Sequence, residues 1–131
     1  GVGAAVGARH LEALLLGQRL EQFYVIALDA SLRVLAAVHI AQGDEGETAV
    51  YPRQVLAALL RCGAAGAVVT HNHPQAEATP SQADRDMTRA LGSLLAGVGI
   101  VLHDHVIVGK GDAFSFKENG LIQPHGRTRG G

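Results

Sequence analysis

Residues 68–89 read VVTHNHPQAEATPSQADRDMTR. The apolar run that leads into them, residues 65–70 (AGAVVT), has the composition of a central strand buried on both faces. Residues 71–80 are polar and carry two prolines, and a helix is expected from about residue 81 to residue 96, with Met87, Ala90, Leu91, Leu94 and Leu95 as its apolar stripe. A strand, a short loop and a capped helix in that order form one half of an α/β unit, and this sets the frame for the rest of the chain.

The same stretch carries the chemistry. In extended backbone, residues i and i+2 point to one face, so His71 and His73 can bring both imidazoles to one point. Zinc is bound by neutral imidazole nitrogens and carboxylate oxygens, and catalytic zinc sites use three protein ligands plus water. Asp84 is the natural third ligand, returned to the histidines by the intervening loop. The helix start admits two readings. With Thr79 as N-cap, Pro80 at the first helical position and Gln82 closing a capping box, Ser81 and Asp84 share a helical face and are free to point at the histidines. With Ser81 as N-cap, Ser81 and Asp84 are themselves a capping pair.

Working outward, residues 9–16 carry leucines at helical spacing, and Gly17 is a stop. Residues 22–28 (QFYVIAL) and 33–40 (RVLAAVHI) read as strands around an Asp29-Ala30-Ser31 turn, forming a hairpin. Residues 43–47 (GDEGE) are an acidic loop. Pro52 opens a helix through Arg61, with Val55, Leu56, Leu59 and Leu60 on one side and Gly63 beyond its end. Residues 100–102 and 105–108 are strand-like, Gly109 to Asp112 is a turn, and residues 113–116 form a last strand. The order is α-β-β-α-β-α-β-β, an α/β or α+β fold with a mixed sheet flanked by helices. Residues 9–122 form one domain, with flexible termini at 1–8 and 123–131.

Composition narrows the function. The chain has 131 residues, 47% hydrophobic and 18% charged, with a net charge of -1, which fits one folded domain and excludes a disordered one. No apolar run is long enough for a membrane helix, and no signal peptide opens the chain. One cysteine, Cys62, excludes a disulfide framework and suits a reducing, cytoplasmic setting; near the end of a helix it reads as a small buried apolar residue. The near-neutral charge and scattered Lys and Arg argue against direct nucleic-acid binding. Edge strands leave room for a homodimer. Gly1, in place of Met, reads as a cleaved tag or an internal boundary.

The string His71-x-His73-Pro74-x6-Ser81-x2-Asp84 resembles the metal-binding motif of JAB/MPN/JAMM-domain metalloproteases, H-x-H-P…S-x-x-D. More narrowly, PRQVLAALL, AAGAVVTHNHP, TPSQADRDMTRAL and DHVIVG are similar to the JAB-like domain of the bacterial RadC family, over about residues 14–122. The resemblance implies a fold like that of cytidine deaminase and a zinc held by His71, His73 and Asp84 with a water, Ser81 being the motif serine. It also implies a glutamate general acid/base near the first strand, where Glu21 stands in Glu21-Gln22-Phe23; Glu45 and Glu47 compete for that role. A deaminase is excluded, since its Pro-Cys-x-x-Cys pair is missing. Two features depart from the family: Gln75-Ala76 replaces the usual Ser-Gly after the metal histidines, and nothing like the helix-hairpin-helix region of full-length RadC proteins precedes Leu11. The chain reads as a fragment or a shorter relative.

The expected function is zinc-dependent hydrolysis of a peptide or isopeptide bond in a peptide or protein substrate. The alternative is a non-catalytic module associated with DNA repair or protein interaction. His103-Asp104-His105 is a second His-x-His, read as structural, with Asp104 orienting a ligand imidazole. His10 and His39 read as ordinary surface or core histidines, His125 lies in the tail, and Gly109-Lys110-Gly111 reads as a hairpin turn rather than a phosphate loop.

Overall fold

The computed structural model describes residues 21–40 and 50–122. Strands β1 (Phe23–Leu28) and β2 (Val34–Ile40) form the expected hairpin, paired antiparallel. Its turn is closed by the Asp29 carboxylate, which accepts from the backbone N–H of Ser31 at 2.8 Å and of Arg33 at 2.9 Å. Helix α1 (Pro52–Cys62) starts at a proline and ends at Gly63, whose φ of 65° is the left-handed conformation a glycine accepts without strain. Strand β3 (Gly66–Asn72), helix α2 (Gln82–Gly97) and strand β4 (Val101–Val108) follow, then the short strand β5 (Ala113–Ser115).

The strands make one five-stranded sheet in the order β2-β1-β3-β4-β5. β3 and β4 run parallel with α2 as their crossover; the other neighbours are antiparallel. The fold is therefore the mixed sheet with helices that the sequence order implied. Alternation along the strands divides the core. Phe23, Val25, Ala27, Ala67 and Val69 face Val55 and Leu59 of α1 and Leu91 and Leu95 of α2. Ile26, Leu28, Val68 and Val106 lie on the opposite face, under Leu32.

One irregularity bears directly on the site. Ala67 pairs with Leu102, but Val68 pairs with Asp104, so His103 has no opposite number in β3. An extra residue of this kind shifts the following side chains to the other face of the sheet. Past the bulge, His105 pairs with Val69 on the helix-covered face and Asp104 pairs with Val68 on the opposite one.

Several expectations are revised. β3 runs two residues beyond Thr70, because His71 continues both ladders, opposite Phe23 of β1 and Ile107 of β4, and Asn72 continues the ladder to β4, opposite Val108. Residues 101–108 are one strand, not two segments. Leu60 is 61% exposed and Ala90 is also exposed, so neither belongs to the buried stripe of its helix; Thr88 takes a buried place in α2 instead. Cys62 is only partly buried, packed against the main core. The helix expected at 9–16, the termini, Glu45, Glu47, His10 and His125 lie outside the described residues.

Candidate metal centre

The site lies beyond the carboxyl end of β3, beside the first turn of α2, where open α/β sheets commonly place ligands. His71 is the second-last residue of β3 and His73 the first beyond it, so the pleat directs both to one face. Their Nε2 atoms are 3.2 Å apart. Asp84 brings a carboxylate from α2, with Oδ1 3.3 Å from Nε2 of His71 and Oδ2 3.4 Å from Nε2 of His73. His71 is buried, while His73 and Asp84 keep a partly exposed edge.

Glu21 enters from the segment just before β1. β1 and β3 pair Phe23 with His71, and the Gln22 N–H donates to Asn72 Oδ1 at 2.6 Å, so the next step back along the chain sets Glu21 across from His73. Glu21, His71 and His73 offer ligand atoms that all lie within 4.8 Å of one another, a group that could hold a metal ion.

The helix start combines the two readings. Ser81 is the N-cap: its hydroxyl oxygen accepts from the Asp84 N–H at 3.0 Å, and its own N–H donates to Asp84 Oδ2 at 2.9 Å. Thr79 is therefore not the cap, and Ser81 is engaged in capping. Two overlapping signatures, Thr79-x-x-Gln82 and Ser81-x-x-Asp84, compete at this point in the sequence. The second prevails with a reciprocal pair of bonds, and the same carboxylate still faces both imidazoles.

The hydrogen-bond surroundings fix what the site presents. Nδ1 of His73 is 3.0 Å from the carbonyl oxygen of Glu77. A carbonyl only accepts, so Nδ1 carries a proton, and in the neutral ring the bare nitrogen is Nε2, the one that faces Asp84. The loop that supplies this carbonyl is tied down in turn. The Ala78 N–H donates to both oxygens of Asp112, and the Lys110 N–H donates to the Ala76 carbonyl. Gly109 packs so closely on the Glu77–Ala78 peptide and the Asp112 carboxylate that no Cβ would fit.

Asp84 is ionised at neutral pH. Burial works to raise its pKa, but the imidazole of His71 beside it and the hydrogen bonds from Ser81 outweigh this and hold the carboxyl well below the usual range. Imidazole nitrogens and carboxylate oxygens thus meet at contact distance. A cation placed among them would remove the repulsion between their lone pairs.

A family model described as a RadC-like JAB domain matches residues 5–121. The chain belongs to the RadC family. Relatives named UPF0758 protein agree: one from Actinobacillus pleuropneumoniae serotype 5b (strain L20) is 40% identical over 107 residues, covering 82% of this chain and 49% of its own length. Another, from Vibrio atlanticus (strain LGP32), is 41% identical over 113 residues, covering 86% and 50%. A third, from Rhodobacter capsulatus, is 40% identical over 102 residues, covering 78% and 48%. The chain spans about half the length of these curated relatives.

Within this RadC-like domain the second His-x-His divides its work. The His103 ring lies over Gly66, in the space a Cβ would need. His105 is fully buried and meets His71, with its Nε2 2.9 Å from Nδ1 of His71. The expectation that Asp104 orients a ligand imidazole is corrected: the bulge turns Asp104 to the opposite face, where it binds the N–H of Lys117 and the hydroxyl of Ser115. Burial above all pushes the His105 pKa well below the ordinary imidazole value, so this ring is neutral at pH 7. His39 is an ordinary exposed histidine, with Nε2 2.7 Å from Oε1 of Gln22. No helix among the described residues is long and apolar enough to cross a membrane.

Proposed function

We propose that the chain is a zinc-dependent hydrolase that cleaves a peptide or isopeptide bond, with His71, His73 and Asp84 as the metal ligands. The observation that carries this reading is the set of separations of 3.2, 3.3 and 3.4 Å among the two imidazole nitrogens and the Asp84 oxygens. Ligands at the usual 2.0–2.1 Å from a tetrahedral zinc stand about 3.3–3.4 Å from one another. Membership in the RadC family, whose JAB domain resembles that of JAMM metalloproteases, points the same way.

A zinc ion bound there supplies a Lewis acid for an amide carbonyl and lowers the pKa of an attacking water. The protein side chains supply the rest. Glu21, across from His73, takes a proton from the attacking water and hands it to the leaving amine. Its carboxylate is given this role, and not a ligand's, because Asp84 already sets one carboxylate oxygen beside each imidazole Nε2. The Ser81 hydroxyl accepts from Asp84 through its oxygen and still has a proton to donate to a developing oxyanion. The open edge of His73 and Asp84 gives the substrate its approach.

The test is hydrolysis of a library of peptide- and isopeptide-linked fluorogenic amides by zinc-loaded protein. Turnover by the wild type, lost in Glu21→Gln and in Asp84→Ala, supports the reading. Turnover undiminished in both variants overturns it.

A further inference from the structure

We propose that Thr88 and His105 are positioning residues: they fix the tautomer and direction of the His71 ring so that its Nε2 lone pair faces Asp84 and His73. This rests on the metal-site reading above and extends it to residues that touch neither metal nor substrate.

The proton positions follow from counting donors. Oγ1 of Thr88 is 2.7 Å from the Asp84 backbone carbonyl and 2.6 Å from Nδ1 of His105. A hydroxyl has one proton and a carbonyl can only accept, so Thr88 donates to Asp84. Toward His105 the same oxygen must then accept, which puts the His105 proton on Nδ1. A neutral imidazole carries one N–H, so Nε2 of His105 is an acceptor. Its neighbour at 2.9 Å is Nδ1 of His71, which therefore donates. His71 is left with a bare Nε2 on the side of the site, as a metal ligand requires.

The surroundings make this arrangement rigid. Thr88 is 3% exposed, His105 0% and His71 4%, so bulk water cannot substitute for a missing partner. Phe116 stacks on His105 with ring centres 4.6 Å apart, and Phe23 stacks on His71 at 5.9 Å. The chain of bonds begins at the peptide of Asp84 and ends at the ring of His71. It thereby ties the backbone of the helix residue that bears the carboxylate to a strand-borne imidazole. The bulge at His103 is what delivers His105, rather than Asp104, to this face.

Thr88→Val keeps the shape but removes the acceptor for the Nδ1–H of His105. That ring can then move its proton to Nε2 and force His71 to accept at Nδ1, which puts the His71 proton on the site side. The experiment is long-range 1H–15N NMR of the metal-free chain at pH ~8.5, well above the usual imidazole pKa, combined with zinc titration of the same samples. The wild type is expected to show His71 protonated at Nδ1 with Nε2 bare. Thr88→Val should shift His71 toward the other tautomer and weaken zinc binding by roughly 10–100-fold, and Thr88→Ser should restore both. A wild-type spectrum with the His71 proton on Nε2 overturns the proposal without any variant. So does a folded Thr88→Val protein that keeps both the wild-type tautomer and the wild-type zinc affinity. A wild type that binds no zinc overturns the metal-site reading instead, while its spectrum still decides the proton positions.

Discussion

Ser81 has been given two tasks, capping α2 and donating to an oxyanion, and substitutions separate them. Ser81→Ala removes the oxygen that accepts from the Asp84 N–H at 3.0 Å but leaves the reciprocal bond from the Ser81 N–H to Asp84 Oδ2 at 2.9 Å. Loss of a serine N-cap costs about 1 kcal/mol, within a range of roughly 0.5–2. For a domain of this size that lowers the thermal midpoint by roughly 4 °C. The Asp84 carboxylate keeps its remaining cap bond and its place beside both imidazoles, so zinc affinity should change by less than about tenfold. Glycine at an N-cap costs only a few tenths of a kcal/mol against serine and has no side-chain proton to donate, so Ser81→Gly should keep most of the midpoint without recovering hydrolysis. The assays are circular-dichroism melts in chelator, zinc titration against a chromophoric competitor, and turnover of an amide substrate. A wild-type midpoint in Ser81→Ala refutes the capping energetics. Recovery of turnover together with the midpoint in Ser81→Gly refutes the oxyanion role and leaves the serine as a cap alone.

Glu21→Gln should abolish turnover while zinc stoichiometry stays at the wild-type value; loss of the metal would make Glu21 a ligand instead of the base. Gly109→Ala places a methyl group where Asp112 and the Ala78 peptide already sit, so the loop carrying the Glu77 carbonyl must move. A cost of about 1–3 kcal/mol in chemical denaturation is expected, with weaker zinc binding, and an unchanged midpoint would contradict this packing. His103 and His105 both have folded-state pKa values below the unfolded one, His103 through burial and then the nearby Lys117 charge, and His105 mainly through burial. The unfolded chain therefore takes up protons that the folded chain refuses, and the metal-free protein should lose stability as pH falls from about 7 through 6.5 and below. The depressed pKa of Asp84 acts in a separate window, with its contribution present above about pH 4 and lost only as pH falls through the more acidic range. Melts in chelator across these pH values check both signs, and His103→Gln should flatten the upper slope.

The sheet and the two described helices were legible because their signals are local. Pro52 and Gly63 bracket one helix, the alternation around Asp29 marks the hairpin, and AGAVVT reads as a buried central strand. His71, His73 and Asp84 were legible for the same kind of reason: i and i+2 on a strand, then a capped helix start. The helix start was ambiguous because Thr79-Pro80-Ser81-Gln82 and Ser81-Gln82-Ala83-Asp84 are both valid caps, and only the reach of the Asp84 carboxylate selects the second. The roles of His105 and Thr88 were not legible. In a regular strand, Asp104 would face the helices; one unmatched residue reverses the alternation, and nothing in VLHDHVIV marks the bulge. Thr88 in a helix reads as a weak helix former until the carbonyl four residues earlier and a histidine from another strand are placed beside it.

The central claim is that Asp84 joins His71 and His73 around one metal ion, and metal content measures it most directly. Plasma mass spectrometry on protein dialysed after exposure to zinc, with wild type beside Asp84→Ala and His103→Ala, should find about one zinc per chain in the wild type and in His103→Ala, and none in Asp84→Ala. A folded wild type that retains no zinc, or an Asp84→Ala protein that retains it fully, would contradict the claim.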